Sequence, residues 1–184
     1  MKKLFLIAFF TLASLFNFAD AKIKIETSKV NKTTKELTIE TSWHSFSTDD
    51  KKSLPNMHIR FIYSHGHEFM ELKYISNANT NVNTNDKITV VLDKNKEIMG
   101  HTIHQSSATV GGGSIDYIGC HSLGINLMYL GDFKELLLVQ PKEFKIETSD
   151  KTIVIKIPKY AKKDIQKLYK LFFNKVNKEY TKLY

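Results

Sequence analysis

A period of two in the placement of apolar residues governs this chain from Lys22 to Pro158 and commits that stretch to β-structure. Ile23 and Ile25 alternate with Lys24 and Glu26, and Leu37, Ile39, Thr41 and Trp43 alternate with Thr38, Glu40 and Ser42. Successive residues of a strand point to opposite faces, so such runs predict strands with one face buried. The polar stretch from Val30 to Lys35 between them reads as a hairpin loop. Further strands are expected at Met57 to Ser64, Glu68 to Ile75, Lys87 to Leu92, Ile98 to His104, Ser114 to Ile118, Phe133 to Val139, Phe144 to Thr148 and Thr152 to Ile157, with Asp150-Lys151 turning between the last two. Many short strands with turn signals between them, and no interleaved helices, favour an antiparallel sandwich over a parallel α/β sheet. Ile-Glu-Thr-Ser begins at Ile25, Ile39 and Ile146, but those separations share no period, so it is strand composition rather than a repeat.

After Pro158 the period changes. Ile165, Leu168, Tyr169, Phe172, Val176, Tyr180 and Leu183 recur at three- and four-residue steps, with Lys163, Lys167, Lys170 and Lys178 on other faces. That pattern predicts an amphipathic C-terminal helix. Its stripe can pack on the sandwich, or, flanked by lysine, lie on a membrane surface or grip a partner.

The other end resembles an export signal. Lys2 and Lys3 precede an apolar run from Leu4 to Phe16, and Ala19-Asp20-Ala21 offers small residues for cleavage. The expected organisation is a signal peptide over 1–21, a β-sandwich domain over 22–158 and a helix over 159–184, delivered to the periplasm or secreted. Two lysines and one aspartate of the 27 basic and 19 acidic residues lie in the leader, so the remainder carries +7. Arg60 is the only arginine, which argues against a nucleic-acid reader, since arginine supplies the bidentate contacts such proteins favour. A basic exported protein fits an envelope partner or an anionic surface instead.

Backbone freedom concentrates between Gly100 and Gly131, which hold seven of the eight glycines. Within that third, Cys120-His121-Ser122-Leu123-Gly124 has the look of a nucleophile elbow, but Cys120 stands where the elbow needs glycine and no histidine follows His121 to serve as base. Copper or zinc is a second possibility. His65 with His67, and Met99 with His101, are i and i+2 pairs that share a strand face and could chelate, whereas Gly66 between the first two also suits a tight turn with exposed histidines on either side. Cys120 is the sole cysteine, so no internal disulfide forms; the thiol is either a buried apolar group or a reactive one.

Ser42-Trp43-His44-Ser45-Phe46, a polar loop to Leu54-Pro55, and the alternating strand Met57-His58-Ile59-Arg60-Phe61 resemble the start of the N-terminal domain of the thiol:disulfide interchange protein DsbD. In that family a cysteine pair follows a later apolar strand, and Ile115 to Cys120 falls at a similar separation from Trp43. The similarity runs from Trp43 to about Ile125 and rests on Trp43, His44, Pro55 and Cys120. It implies an immunoglobulin-like sandwich in the periplasm that exchanges thiols with partner proteins. Gly124 stands near the place of the family's second cysteine, so the resemblance implies an interaction module without a working dithiol, Cys120 being its candidate redox thiol.

Overall fold

The structure, a computed structural model, describes residues 23–49, 55–76, 81–103, 106–107, 119–126 and 133–183. The leader and the expected strand at Ser114 to Ile118 lie outside the described residues. Its strands are β1 (Ile25–Val30), β2 (Leu37–Thr41), β3 (His44–Phe46), β4 (Met57–Ser64), β5 (His67–Ser76), β6 (Asn81–Val82), β7 (Lys87–Leu92), β8 (Glu97–Thr102), β9 (Ser106–Ser107), β10 (Gly119–Asn126), β11 (Pro141–Glu147) and β12 (Thr152–Lys156), followed by helix α1 (Lys159–Tyr180).

The strands form an all-antiparallel β-sandwich with one C-terminal helix. The hydrogen-bonded order is β1-β2-β4-β5-β10-β8-β7-β11-β12, with β3 also on β4, and β6 pairing separately with β9. One layer is β1 to β5, the other is β8, β7, β11 and β12, and β10 joins them: it runs along β5 for eight residues and, among the described residues, meets β8 at Ile125↔Thr102 and Asn126↔His101. Leu37, Ile39, Ile59, Phe61, Met70 and Leu72 of the first layer meet Ile88, Val90, Phe144, Ile146 and Ile155 of the second in a single apolar cluster. Burying that surface is the main driving force for the fold.

Strand β4 shows how the sequence encodes its layer. Met57, Ile59, Phe61 and Tyr63 are buried, while His58, Arg60, Ile62 and Ser64 face outward. A two-residue turn follows, with His65 at φ 50° and Gly66 at φ 79°, and Ser64 pairs with His67 to close the hairpin. Positive φ at both central positions matches the twist of antiparallel strands, and glycine takes it without a Cβ penalty.

Helix α1 inserts Ile165, Leu168, Tyr169, Phe172 and Val176 into the same core. The helix lies against β2, β3, β4 and β11. Phe61 is the centre of the contact, with the rings of Tyr169, Phe172 and Phe133 at 5.0, 5.7 and 6.2 Å, the last edge-on. Pro158 precedes the helix at φ −67°, where its missing N–H costs no helical hydrogen bond. Tyr160 pins the first turn, its hydroxyl donating to the Ser47 carbonyl at 2.8 Å and accepting from the Ser47 N–H at 3.1 Å.

Three sequence expectations change. Trp43 does not continue the inward set of Leu37, Ile39 and Thr41, because β2 stops at Thr41 and β3 resumes at His44 with the opposite parity, Phe46 inward and Ser45 outward. Side-chain bonds hold that break: Thr41 Oγ1 accepts the Phe61 N–H at 3.0 Å, and Ser42 Oγ accepts the Lys24 N–H at 3.3 Å, so donors that lose ladder partners stay satisfied. Phe133–Leu137 is a 3-10 turn rather than a strand, burying Phe133 and Leu136 at the three-residue spacing of that helix while Leu138 is exposed. Gly119–Asn126, where the residue pattern predicts no strand, forms the strand β10.

Candidate functional site

Two places on the molecule gather polar and aromatic groups. The first is the outer face of the first layer, built on cross-strand register. Trp43, turned outward by the break between β2 and β3, has two cations at its ring: the Arg60 guanidinium carbon is 4.7 Å and the Lys73 ammonium 4.3 Å from its centre. Arg60 is itself held by Glu71 at 2.5 Å and by Glu40 at 3.2 Å, each of the three side chains about three-quarters buried. Each cation on the indole contributes on the order of 0.5–1 kcal/mol to holding the ring in place. Beside it, Ser45 and His58 are directly paired across β3 and β4, with Ser45 Oγ 2.7 Å from His58 Nδ1. Burial, and then the charge of Lys73, push the His58 ring below its ordinary pKa. A neutral ring lets Nδ1 accept the serine proton.

The second place is a cleft of about 500 Å³ between the last turns of α1, the β1–β2 loop and the β4–β5 turn. Glu68 lines it at 5 % exposure. The buried Tyr169 hydroxyl donates to Glu68 Oε2 at 3.0 Å, joining the helix to β5 inside the core. Burial raises the Glu68 carboxyl above its usual range, opposed by that hydrogen bond and by the charge of Lys134. Burial and the neighbouring carboxyl likewise raise the Tyr169 phenol. The Lys134 ammonium lies 5.8 Å from the Phe173 ring centre on the cleft wall. At the rim, His65 Nδ1 is 3.1 Å from Glu36 Oε1, and Glu36 is held below its usual range first by its bond from Thr34 and then by His65.

The residues singled out from the sequence divide among these places. Trp43 is the hub of the outer face, and His44 sits behind it with its ring 5.9 Å from Phe46. Pro55 is half-buried at the end of the loop, next to Asn56, whose side chain bonds Thr48 at 2.8 Å. His65 and His67 are exposed on either side of Gly66. Met99 is 61 % exposed on β8 and His101 half-buried two residues on, in register with Lys87. Cys120 pairs in register with Ile75, and two residues further along β10 Ser122 pairs with Lys73, so the cysteine lies on the strand adjoining the Trp43 face. Among the described residues, no three His, Cys, Asp or Glu side chains converge where they could hold a metal ion, and no helix is long and apolar enough to cross a membrane.

The Glu68–Tyr169 and Ser45–His58 pairs were not visible in the sequence. Their members are 101 and 13 residues apart and meet only through tertiary packing and strand register. The one available signal for Glu68 was its place in the inward-facing set with Met70 and Leu72. In comparisons with protein-family models, curated proteins and solved structures, nothing matches this chain significantly.

Proposed function

We propose that this protein is an exported, non-catalytic interaction module of the bacterial envelope, related to the DsbD N-terminal thiol-exchange domain but lacking its dithiol. It docks a protein partner through the outer face of β2 to β5. One observation carries this reading: the single tryptophan is turned out of the core and held by both Arg60 and Lys73. Core packing gains nothing from that arrangement, whereas a rigid, half-buried Trp with an Arg beside it is the composition of an interface hot spot. The register of Cys120 on the adjoining strand, opposite Ile75, supports a partner that meets both the tryptophan and the strand that carries the cysteine.

Site-specific photocrosslinking in the native envelope tests it, with the reactive group at Ile62 on the outward row of β4 and, as control, at Lys163 on the solvent face of α1. The expected result is a discrete adduct from position 62 that disappears in Trp43→Ala, with no counterpart from position 163. Equal patterns from both positions, or an adduct indifferent to Trp43→Ala, would refute the docking face. A reducible adduct lost in Cys120→Ser would add thiol exchange to the docking.

A further inference from the structure

We propose that the cleft between α1 and the β4–β5 hairpin binds an organic ammonium group, seated against Glu68 and the Phe173 ring in the position that Lys134 now approaches from the protein itself. This goes beyond the docking function and does not depend on it, since the outer face and the cleft share no residue.

The decisive group is Glu68. It is almost entirely buried, and the Tyr169 hydroxyl donates to one of its oxygens, Oε2. A carboxylate removed from water destabilises the fold unless a counter-charge or donors compensate, and its field is screened far less than that of a surface charge. The cleft also carries the positive side chains of Lys35 and Lys134, but both are exposed and correspondingly screened. An anion entering the cleft would face the buried carboxylate directly, so the interior selects for positive charge. The rim carboxylate, Glu36, is already engaged by Thr34 and His65.

The walls agree with that sign. Phe173, Tyr63 and Tyr180 line the cleft, Tyr63 directly opposite Glu68 in the β4–β5 register. Aromatic faces around a carboxylate are the recurrent way to hold alkylated ammonium groups. Lys134 supplies an internal precedent: its ammonium already lies over Phe173 and already acts on Glu68. Being an exposed, flexible side chain, it can swing to solvent when a ligand arrives. The cleft's volume is within the range of small-ligand sites.

Isothermal titration of the purified full chain with choline and with butylammonium tests this, alongside sedimentation with phosphatidylcholine and phosphatidylethanolamine vesicles. Saturable binding of the free ammonium ions, weakened at least tenfold in Glu68→Gln, several-fold in Phe173→Leu, and tightened in Lys134→Ala, is the expected result. Glu68→Gln keeps an acceptor for Tyr169, and an unchanged far-UV spectrum certifies its fold; if that variant fails to fold, the opposite shifts of Phe173→Leu and Lys134→Ala decide. Vesicle binding that follows the same variants identifies a lipid headgroup as the source of the ammonium, and binding of the free ions alone identifies a soluble amine. No saturation by about 10 mM of either ion, or equal affinity in wild type and Glu68→Gln, overturns the proposal.

Discussion

Replacing Tyr169 with phenylalanine removes one oxygen from the core and changes almost nothing else, so it isolates the bond that ties α1 to β5. The ring keeps its contacts with Phe61, Phe133 and Phe172, but Glu68 loses its buried donor at 3.0 Å. A hydrogen bond to a charged group contributes roughly 1.5–3 kcal/mol, so about 2 kcal/mol is expected at pH 7. For a chain of this length that is a fall in Tm of roughly 4–8 °C. The loss should depend on pH, because burial raises the Glu68 pKa. The folded protein therefore binds this proton more tightly than the unfolded chain does. Stability from that source is complete below the ordinary carboxylate pKa and is lost as pH rises through the raised folded value. Near pH 4, where Glu68 is protonated, the bond is neutral and contributes only about 1 kcal/mol. Urea unfolding of wild type and Tyr169→Phe at pH 4 and pH 7 should show the difference between them roughly doubling with pH. A difference below about 0.5 kcal/mol, or one that does not change with pH, would refute a charged, buried Glu68 held by this phenol.

Other perturbations have sizes fixed by their surroundings. Glu68→Gln removes the titrating group while keeping the acceptor, so the variant should gain on wild type as pH rises from the ordinary glutamate range towards neutrality, and thermal melts across pH 4 to 8 that run parallel would contradict this. Phe61→Ala opens a cavity where three other aromatic rings meet, and denaturant titration should find a loss of about 3–5 kcal/mol. Gly66→Ala adds a methyl group to open space, with nothing within 4 Å, so any loss is purely conformational: about 1 kcal/mol from the positive φ, and a neutral effect would mean the turn is not left-handed there.

Strand Met57–Ser64 was legible from residue order alone because it alternates and its buried face must be apolar, and Lys87–Leu92 was legible as a short apolar, β-branched run that is buried throughout after Lys87. The helix was legible for the same reason, its stripe running from Ile165 to Val176. Parity was lost where a side chain replaced a backbone partner. Nothing local announces that Thr41 and Ser42 will satisfy Phe61 and Lys24 and so turn Trp43 outward, since those donors lie 20 and 18 residues away. The strand expected at Phe133 to Val139 failed for a different reason: a short apolar run has no period of its own, and packing beneath α1 chose the 3-10 turn. Strand β10 was hidden by Gly119 and Gly124, which weaken the strand signal although β5 pairs with the whole segment. The outer face was half visible, since Trp43 and His44 drew attention by type, but Arg60, Lys73 and Ser45 joined them only through register.

Because Trp43 is the only tryptophan, its fluorescence reports the outer face without labelling. Quenching by iodide and by caesium in the purified protein tests most directly whether that residue stands outside the core beside two cations. Iodide, drawn to Arg60 and Lys73, should quench the emission much more strongly than caesium at equal ionic strength, and Arg60→Met should narrow the gap. A blue-shifted emission that neither ion quenches would place the tryptophan inside the sandwich and contradict the docking face built upon it.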